Sequence, residues 1–106
     1  LLWRTLDEAS RRAIGCGALR GLDPAAAEIK RMYVVPAARS TGVAVEILRA
    51  LESAAATRGW TTLRLETGTE QPDAQRFYER ERYRPIPLFG GYVGSNVSVC
   101  YERRFR

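Results

Sequence analysis

The chain has 106 residues, of which 45% are hydrophobic and 27% charged, as in an ordinary soluble globular protein. It contains no histidine, which excludes catalytic centres with a histidine base and zinc sites with histidine ligands. Its net charge of +5 favours an acidic partner, such as nucleic acid, anionic lipid or a phosphorylated ligand, without choosing among them.

The length allows one domain at most, or part of one. Because the chain begins with Leu1 rather than Met, we expect a truncated N-terminus. No apolar run approaches the roughly 20 residues of a membrane span, and no leader pattern opens the chain. We therefore expect a cytoplasmic location and no membrane partner.

The first third of the chain favours strands. Residues 7–10 resemble a turn, Asp23-Pro24 breaks an apolar stretch that contains two glycines, and Pro36 ends the next one. This pattern is typical of a hairpin followed by a further strand. The three predicted strands are Leu1 to Leu6, Arg12 to Leu22 and Ala27 to Val35.

From Gly42 the hydrophobic period becomes that of a helix. Apolar residues recur at offsets 0, 3, 4, 7, 10 and 11 from Ala44, which places them on one helical face. Arg58-Gly59 then supplies a cation near the negative end of the helix and a glycine just beyond it. The alternating segment Thr61 to Thr67 predicts the next strand.

A second helix is predicted to begin at Gln71-Pro72-Asp73, since proline suits the first turn and aspartate the positive end of the dipole. Pro85 prevents continuation, so we expect Arg82 to lie just past the helix end in a left-handed conformation. Val97 to Phe105 predicts the last strand. The predicted order is βββαβαβ, an α/β (α+β) sandwich with an antiparallel start and one crossover unit.

The segment between the third strand and the long helix has the chemistry of a phosphate site. Unpaired amides at a helix start carry about half a positive charge, and Gly42 lets a phosphate approach the backbone closely. The segment lacks Gly-Lys-Ser/Thr, so it is not a nucleotide P-loop. On these residues alone, a phosphate site and an ordinary strand–helix turn remain equally open.

The surroundings of this segment resemble the acetyl-CoA-binding core of the GNAT N-acetyltransferase superfamily. A strand from Ala27 to Val34 is followed by a proline and then by Arg39-x-x-Gly42-x-Ala44. The family signature at the same junction is Arg/Gln-x-x-Gly-x-Gly/Ala. The resemblance, which covers residues 1–106, implies a GNAT-like mixed sheet with a strand–helix cradle for the acetyl-CoA pyrophosphate.

A second motif agrees with this resemblance. Gln71-x-x-Ala74-x-x-Phe77-Tyr78-Glu79 is similar to the family's Asn-x-x-Ala-x-x-Leu-Tyr-Glu helix. Gln71 replaces the usual asparagine, and Arg82 stands where the family normally has a glycine. The family's first strand and two following helices have no counterpart in this chain, and those elements form much of the family's acceptor pocket.

The resemblance implies acetyl-CoA as the co-substrate and no metal. Its pyrophosphate is expected at the helix start, and its pantetheine arm is expected to bond to the preceding strand, whose N–H groups also stabilise the oxyanion. The residues expected to bind it are Met32, Tyr33, Val34, Arg39, Ser40, Thr41, Gly42, Val43 and Ala44.

The resemblance also implies an acid and a base. An amine with a pKa of about 10.4 is protonated at pH 7 and needs a base before it can attack a thioester. Glu28 has the position of the general base in the family's histone-acetylating members, and Glu66 is the alternative. Tyr78 matches the general-acid tyrosine that protonates the leaving thiolate. Structural roles remain open for these residues: an arginine-paired strand glutamate for Glu28 and a core aromatic for Tyr78.

We therefore predict an N-acetyltransferase that transfers an acetyl group from acetyl-CoA to a primary amine of a small molecule or amino acid by direct attack. The alternatives are a non-catalytic acyl-CoA-binding or regulatory module and, ranked last, a small basic nucleic-acid-binding protein supported by net charge alone. The glycine-containing loop of residues 89–94 is either a cover of the acceptor site or a surface connection. The sequence leaves the acceptor and a homodimer open.

Overall fold

The structure is a computed structural model that describes residues 2–6 and 13–105. The predicted turn at 7–10 and the strand residues Leu1 and Arg12 lie outside the described residues. The strands are β1 Leu2–Leu6, β2 Ala13–Gly21, β3 Ala26–Val34, β4 Thr62–Gly68, β5 Arg84–Ile86 and β6 Ser98–Arg104. The helices are α1 Val43–Thr57 and α2 Pro72–Arg80, and short 3-10 turns lie at Pro36–Ala38 and Gly90–Tyr92. Neither α1 nor α2 is long and apolar enough to cross a membrane.

In the described part of the chain the strands form one sheet in the order β1-β2-β3-β4-β6-β5. β3 and β4 are parallel, and the other neighbours are antiparallel, so the sheet is mixed as predicted. The predicted order, βββαβαβ, lacks β5, and the observed order is βββαβαββ. Three residues around Pro85 are too short for an alternating pattern, and the missing N–H of Pro85 is tolerated because β5 lies at the sheet edge.

Among the residues that the structure describes, the two helices and the sheet enclose one hydrophobic core. Most of the apolar face predicted for α1 is buried in a cluster with Leu63 and Leu65 of β4, and Tyr78 of α2 and Tyr101 of β6 complete this cluster. The alanines at 44 and 54 on that face are half-buried. α1 lies so close to β2 that a Cβ added at Gly17 would be 2.9 Å from Leu51 Cδ1. The buried residues of α1 are Val43, Ile47, Leu48, Leu51 and Ala55.

The sheet opens between its two parallel strands. β3 and β4 pair from Ala26↔Thr62 to Glu28↔Arg64, whereas β3 continues to Val34 and β4 to Gly68. The pairing of β3 with β2 contains a bulge beside this opening: Arg31 and Met32 both lie opposite Gly17 of β2, and Arg31 has a φ of 56°. The opening between the strand ends is where the candidate site lies.

α2 ends in a hydrogen-bonded motif that fixes the conformation of Arg82. The amide of Arg82 donates to Glu79 O at 3.0 Å, and the amide of Tyr83 donates to Tyr78 O at 2.9 Å. This pattern requires a left-handed residue, and the φ of Arg82, 75°, confirms the prediction. Gly59 holds the equivalent place after α1, with a φ of 83°.

Candidate active site

Two cavities meet in the opening between β3 and β4. The larger, about 700 Å³, extends to the start of α1 and to α2, and we call it the groove. The smaller, about 390 Å³, is lined by Glu28, Lys30, Arg31, Glu66 and Tyr92, and we call it the carboxylate pocket. Met32, Ala74 and Tyr78 line both cavities, so a ligand in one can contact a ligand in the other at these residues.

The start of α1 lines the groove and has backbone amides that the helix does not use. Gly42 is the N-cap in a left-handed conformation with a φ of 88°, and within the described residues no side chain caps this end. The first helical bond runs from Glu46 N to Gly42 O, so the preceding amides are not used by the helix. A Cβ at Gly42 would meet nothing within 4 Å, and Gly42 faces open groove space. These features fit an anionic ligand such as a pyrophosphate.

Arg39 is held at the rim of the groove by two contacts. Its Nε donates to Val34 O at 3.0 Å, and its guanidinium lies 5.6 Å from the centroid of the Tyr33 ring. The side chains of Thr41 and Val43 turn away from the groove. The Thr41 hydroxyl donates to Ala38 O, and Val43 is buried in the core.

The backbone of β3 forms one wall of the groove. Met32, Tyr33 and Val34 line it, and on their other side Tyr33 pairs with Cys16 and Val34 with Gly15 of β2. The edge of β3 that faces the groove lies beyond the last pair with β4. An extended arm of a ligand could therefore bond to this edge as an added strand would.

Tyr78 lies where the groove and the carboxylate pocket meet. Its side chain is 7% exposed, with ring centroids 5.1 Å from Phe77 and 5.9 Å from Tyr83 in edge-to-face contacts. Burial raises the pKa of Tyr78 to about 12. It therefore holds its proton at neutral pH, and it is both a core aromatic and a cavity residue.

Glu28 is buried at the carboxylate pocket and is hydrogen-bonded to a loop. It is 3% exposed, and its Oε2 accepts the Tyr92 hydroxyl at 2.7 Å. This hydrogen bond, with burial, raises the pKa of Tyr92. The loop between β5 and β6 thus lines this pocket through Tyr92. Its role as a cover of the acceptor site stays a prediction. Tyr92 is not among the site residues predicted from the sequence, where its only local signal is an aromatic residue in a glycine-rich loop.

Glu66 is the second carboxylate of this pocket. Its Oε2 accepts the Ser98 hydroxyl at 2.7 Å, and Ser98 in turn accepts the Ser95 hydroxyl at 2.9 Å. The structure thus brings Glu28, Glu66 and Tyr78 around one pocket, although they lie on three different elements. Their catalytic roles stay predictions.

Similarity to known proteins shows the family of this chain. The acetyltransferase (GNAT) family model matches residues 3–82, and the chain belongs to this family. It is 30% identical over 95 residues to the IAA acetyltransferase of Azospirillum brasilense, covering 89% of this chain and 62% of that protein. The chain therefore spans less than two thirds of the length of this curated relative.

Solved structures give the same fold. A structure assigned as an acyl-CoA N-acyltransferase, from Klebsiella pneumoniae subsp. pneumoniae MGH 78578, is 32% identical with a TM-score of 0.93, covering 99% of this chain and 72% of that one. A GNAT family acetyltransferase from Elizabethkingia anophelis with acetyl-CoA bound is 16% identical with a TM-score of 0.83, covering 98% and 75%. The second likeness bears on the fold alone.

Proposed function

We propose that this chain transfers an acetyl group from acetyl-CoA to a primary amine of a small molecule or amino acid. The observation that carries the proposal is the junction at Tyr78. There a groove with a helix start meets a pocket with two carboxylates. A thioester in the groove and an amine in the pocket would come into contact at that residue.

The groove suits acetyl-CoA, which supplies an activated acetyl thioester. The pyrophosphate would bind at the amides before Glu46, with the Arg39 guanidinium at the rim of the groove. The pantetheine arm would lie along β3 and bond to the part of its edge that does not pair with β4. The same strand, at residues 32–34, would offer an N–H group to the thioester oxygen as negative charge develops on it.

The carboxylate pocket suits the amine. In the proposed reaction the amine nitrogen attacks the thioester carbon, so that a C–N bond forms and the C–S bond breaks. A proton passes from the nitrogen to a carboxylate, with Glu28 as the first candidate and Glu66 as the alternative. Tyr78 donates its hydroxyl proton to the leaving sulfur. The products are an N-acetyl amine and coenzyme A.

Thiol release from acetyl-CoA in the presence of a panel of primary amines tests this proposal, with products identified by mass spectrometry. We expect at least one amine to be acetylated by the full chain. A chain that binds acetyl-CoA but releases no thiol with any amine would instead be an acyl-CoA-binding module. A chain that binds nucleic acid and no acetyl-CoA would contradict the proposal altogether.

A further inference from the structure

The charges of the carboxylate pocket are separated rather than paired. Glu28 and Glu66 accept hydrogen bonds from the hydroxyls of Tyr92 and Ser98. Neither carboxylate forms a salt bridge with the described cations. Lys30 and Arg31 also line the pocket, and neither forms a salt bridge with a residue that the structure describes. The pocket thus presents two carboxylates and two cationic side chains to a ligand, and their formal charges sum to zero.

Lys30 has N–H donors at this pocket that are available to a ligand. Its Nζ lies 3.5 Å from the Tyr92 hydroxyl oxygen and 6.0 Å from the ring centroid, and that hydroxyl donates onward to Glu28. An ammonium group has three N–H donors, so two remain after the contact with Tyr92. Lys30 is half-buried, and a partly desolvated cation is stabilised by an anionic ligand.

Glu66 provides a matching site for a positive group. Ser98 bonds to its Oε2, and a carboxylate has about four acceptor positions, so it can take further donors from a ligand. The pocket, about 390 Å³, holds both Glu66 and Lys30 in its wall. One small molecule can therefore contact a carboxylate and a cationic side chain of this pocket at the same time.

We propose that the acceptor is an amino acid or a close analogue, with its carboxylate on Lys30 beside Arg31 and its amine facing Glu66 and Glu28. The inference rests on the proposed function and narrows its acceptor. A zwitterion carries no net charge and matches the pocket, whereas a dianionic phosphate ester would leave an unbalanced negative charge. Lys30 is then a specificity-determining residue that binds the part of the acceptor that does not react.

The test compares free amino acids with their α-amides as acceptors. An α-amide keeps the amine and removes the negative charge, so a preference for the acid measures recognition of the carboxylate. We expect kcat/KM to favour the best acid over its amide by about tenfold or more. Lys30→Met should bring this ratio to about one by raising KM for the acid, with KM for acetyl-CoA unchanged and kcat for the amide retained.

Two further variants are the controls. Lys30→Arg keeps the charge and should keep the preference. Arg58→Gln removes one positive charge at the exposed end of α1, away from both cavities, and should not change the ratio. Equal loss of acid and amide turnover in Lys30→Met would mean a structural role for Lys30 and would overturn the inference.

The outcomes separate this inference from the proposed function. Acetylation of acids and amides with equal efficiency by the unmodified chain overturns the inference and leaves the proposed function standing. If no amine is acetylated, the proposed function fails, and calorimetric titration of the same acids and amides in the presence of coenzyme A decides the inference. Binding without preference for the acids would overturn it.

Discussion

Single residues determine the chemistry available at the junction of the two cavities. Tyr78 is surrounded by aromatic rings, and burial raises its pKa to about 12, so the hydroxyl is protonated whenever the protein is folded near neutral pH. The same burial would raise the pKa of the coenzyme A thiol beside it. The pKa values of the proton donor, Tyr78, and of the proton acceptor, the thiolate, therefore shift in the same direction. A buried tyrosine at this place can therefore still act as the acid.

Substitution of Tyr78 by phenylalanine removes the hydroxyl that we propose as the acid and keeps the ring. We expect Tyr78→Phe to lower kcat by about 10²–10³ and to leave KM for acetyl-CoA nearly unchanged. Tyr101→Phe is the matched control, because its ring lies in the same cluster while its hydroxyl donates to Glu79 at 2.6 Å. Steady-state kinetics measure both variants. A Tyr78→Phe enzyme with unchanged kcat would leave Tyr78 with a packing role alone.

The two carboxylates of the pocket can be distinguished by pH–rate profiles. Glu28→Gln keeps an oxygen that can accept the Tyr92 hydroxyl but cannot take a proton from the amine. We expect a rate about 10² lower at neutral pH, with partial recovery at high pH, where free amine is abundant. Glu66→Gln is the parallel variant. If Glu28→Gln keeps the original profile, the base is Glu66 or solvent.

At the level of whole elements, the helix ends show how an unusual residue is accommodated. Arg82 is left-handed and exposed, and a side chain in that conformation costs on the order of 1 kcal/mol. Its charge lies at the negative end of α2, where a cation contributes about 0.3–1 kcal/mol that salt screens. These two effects oppose each other.

We therefore expect Arg82→Gly to leave the free energy of unfolding unchanged or to raise it, and to raise it more at high ionic strength. Gly59→Ala makes the opposite exchange after α1, where an added Cβ meets nothing within 4 Å, and it should destabilise by about 1 kcal/mol. Chemical denaturation at low and high salt measures both variants. A loss above about 1 kcal/mol for Arg82→Gly at both salt concentrations would contradict this account.

Local signals explain which elements the sequence predicts. The hydrophobic period that begins at Ala44 is a short-range feature, and so are the proline and aspartate at the start of α2. Pro85, which prevents α2 from continuing past Arg82, is another. β5 has no such signal, since its three residues become a strand only by pairing with β6. The Tyr92–Glu28 bond joins residues 64 positions apart, and nothing near either residue predicts it.

At the scale of the whole molecule, a row of alternating charges crosses the sheet from β2 to β5. Directly opposed residues of neighbouring strands share a face, so these side chains lie side by side. Glu102 is buried, with 3% of its surface exposed, and its carboxylate accepts hydrogen bonds from Arg64 at 3.0 Å and from Arg104 at 2.9 Å. In order, the row is Arg20, Glu28, Arg64, Glu102 and Arg84.

This row should make stability depend on pH. Burial of Glu102 opposes its ionisation, but hydrogen bonds from Arg64, Arg104 and Arg84 outweigh burial and hold its pKa below the usual value. A carboxyl group with a lowered folded-state pKa stabilises the fold above its unfolded pKa of about 4.3. That stabilisation is lost as the pH falls further, through the folded-state pKa.

We expect Glu102→Gln to destabilise the protein by about 1–3 kcal/mol at pH 7, and by progressively less as the pH falls below about 4.3. Urea denaturation across this range measures the difference from the unmodified chain. Glu70→Gln, at an exposed turn position, is the control and should have little effect at any pH. A Glu102→Gln deficit that stays the same from pH 7 to low pH would mean that the charge of Glu102 does not contribute.

The central claim, that the start of α1 and the opening beside β3 bind acetyl-CoA, is tested most directly by calorimetric titration of the folded chain with acetyl-CoA. We predict one site per chain and an affinity at least tenfold weaker in Gly42→Val, a loss of about 1.4 kcal/mol, because a valine side chain would enter the groove. Gly59→Val incurs the same left-handed backbone penalty at the other end of α1 and should bind as the unmodified chain does. Unchanged affinity in a folded Gly42→Val variant, or no binding by the unmodified chain, would contradict the claim.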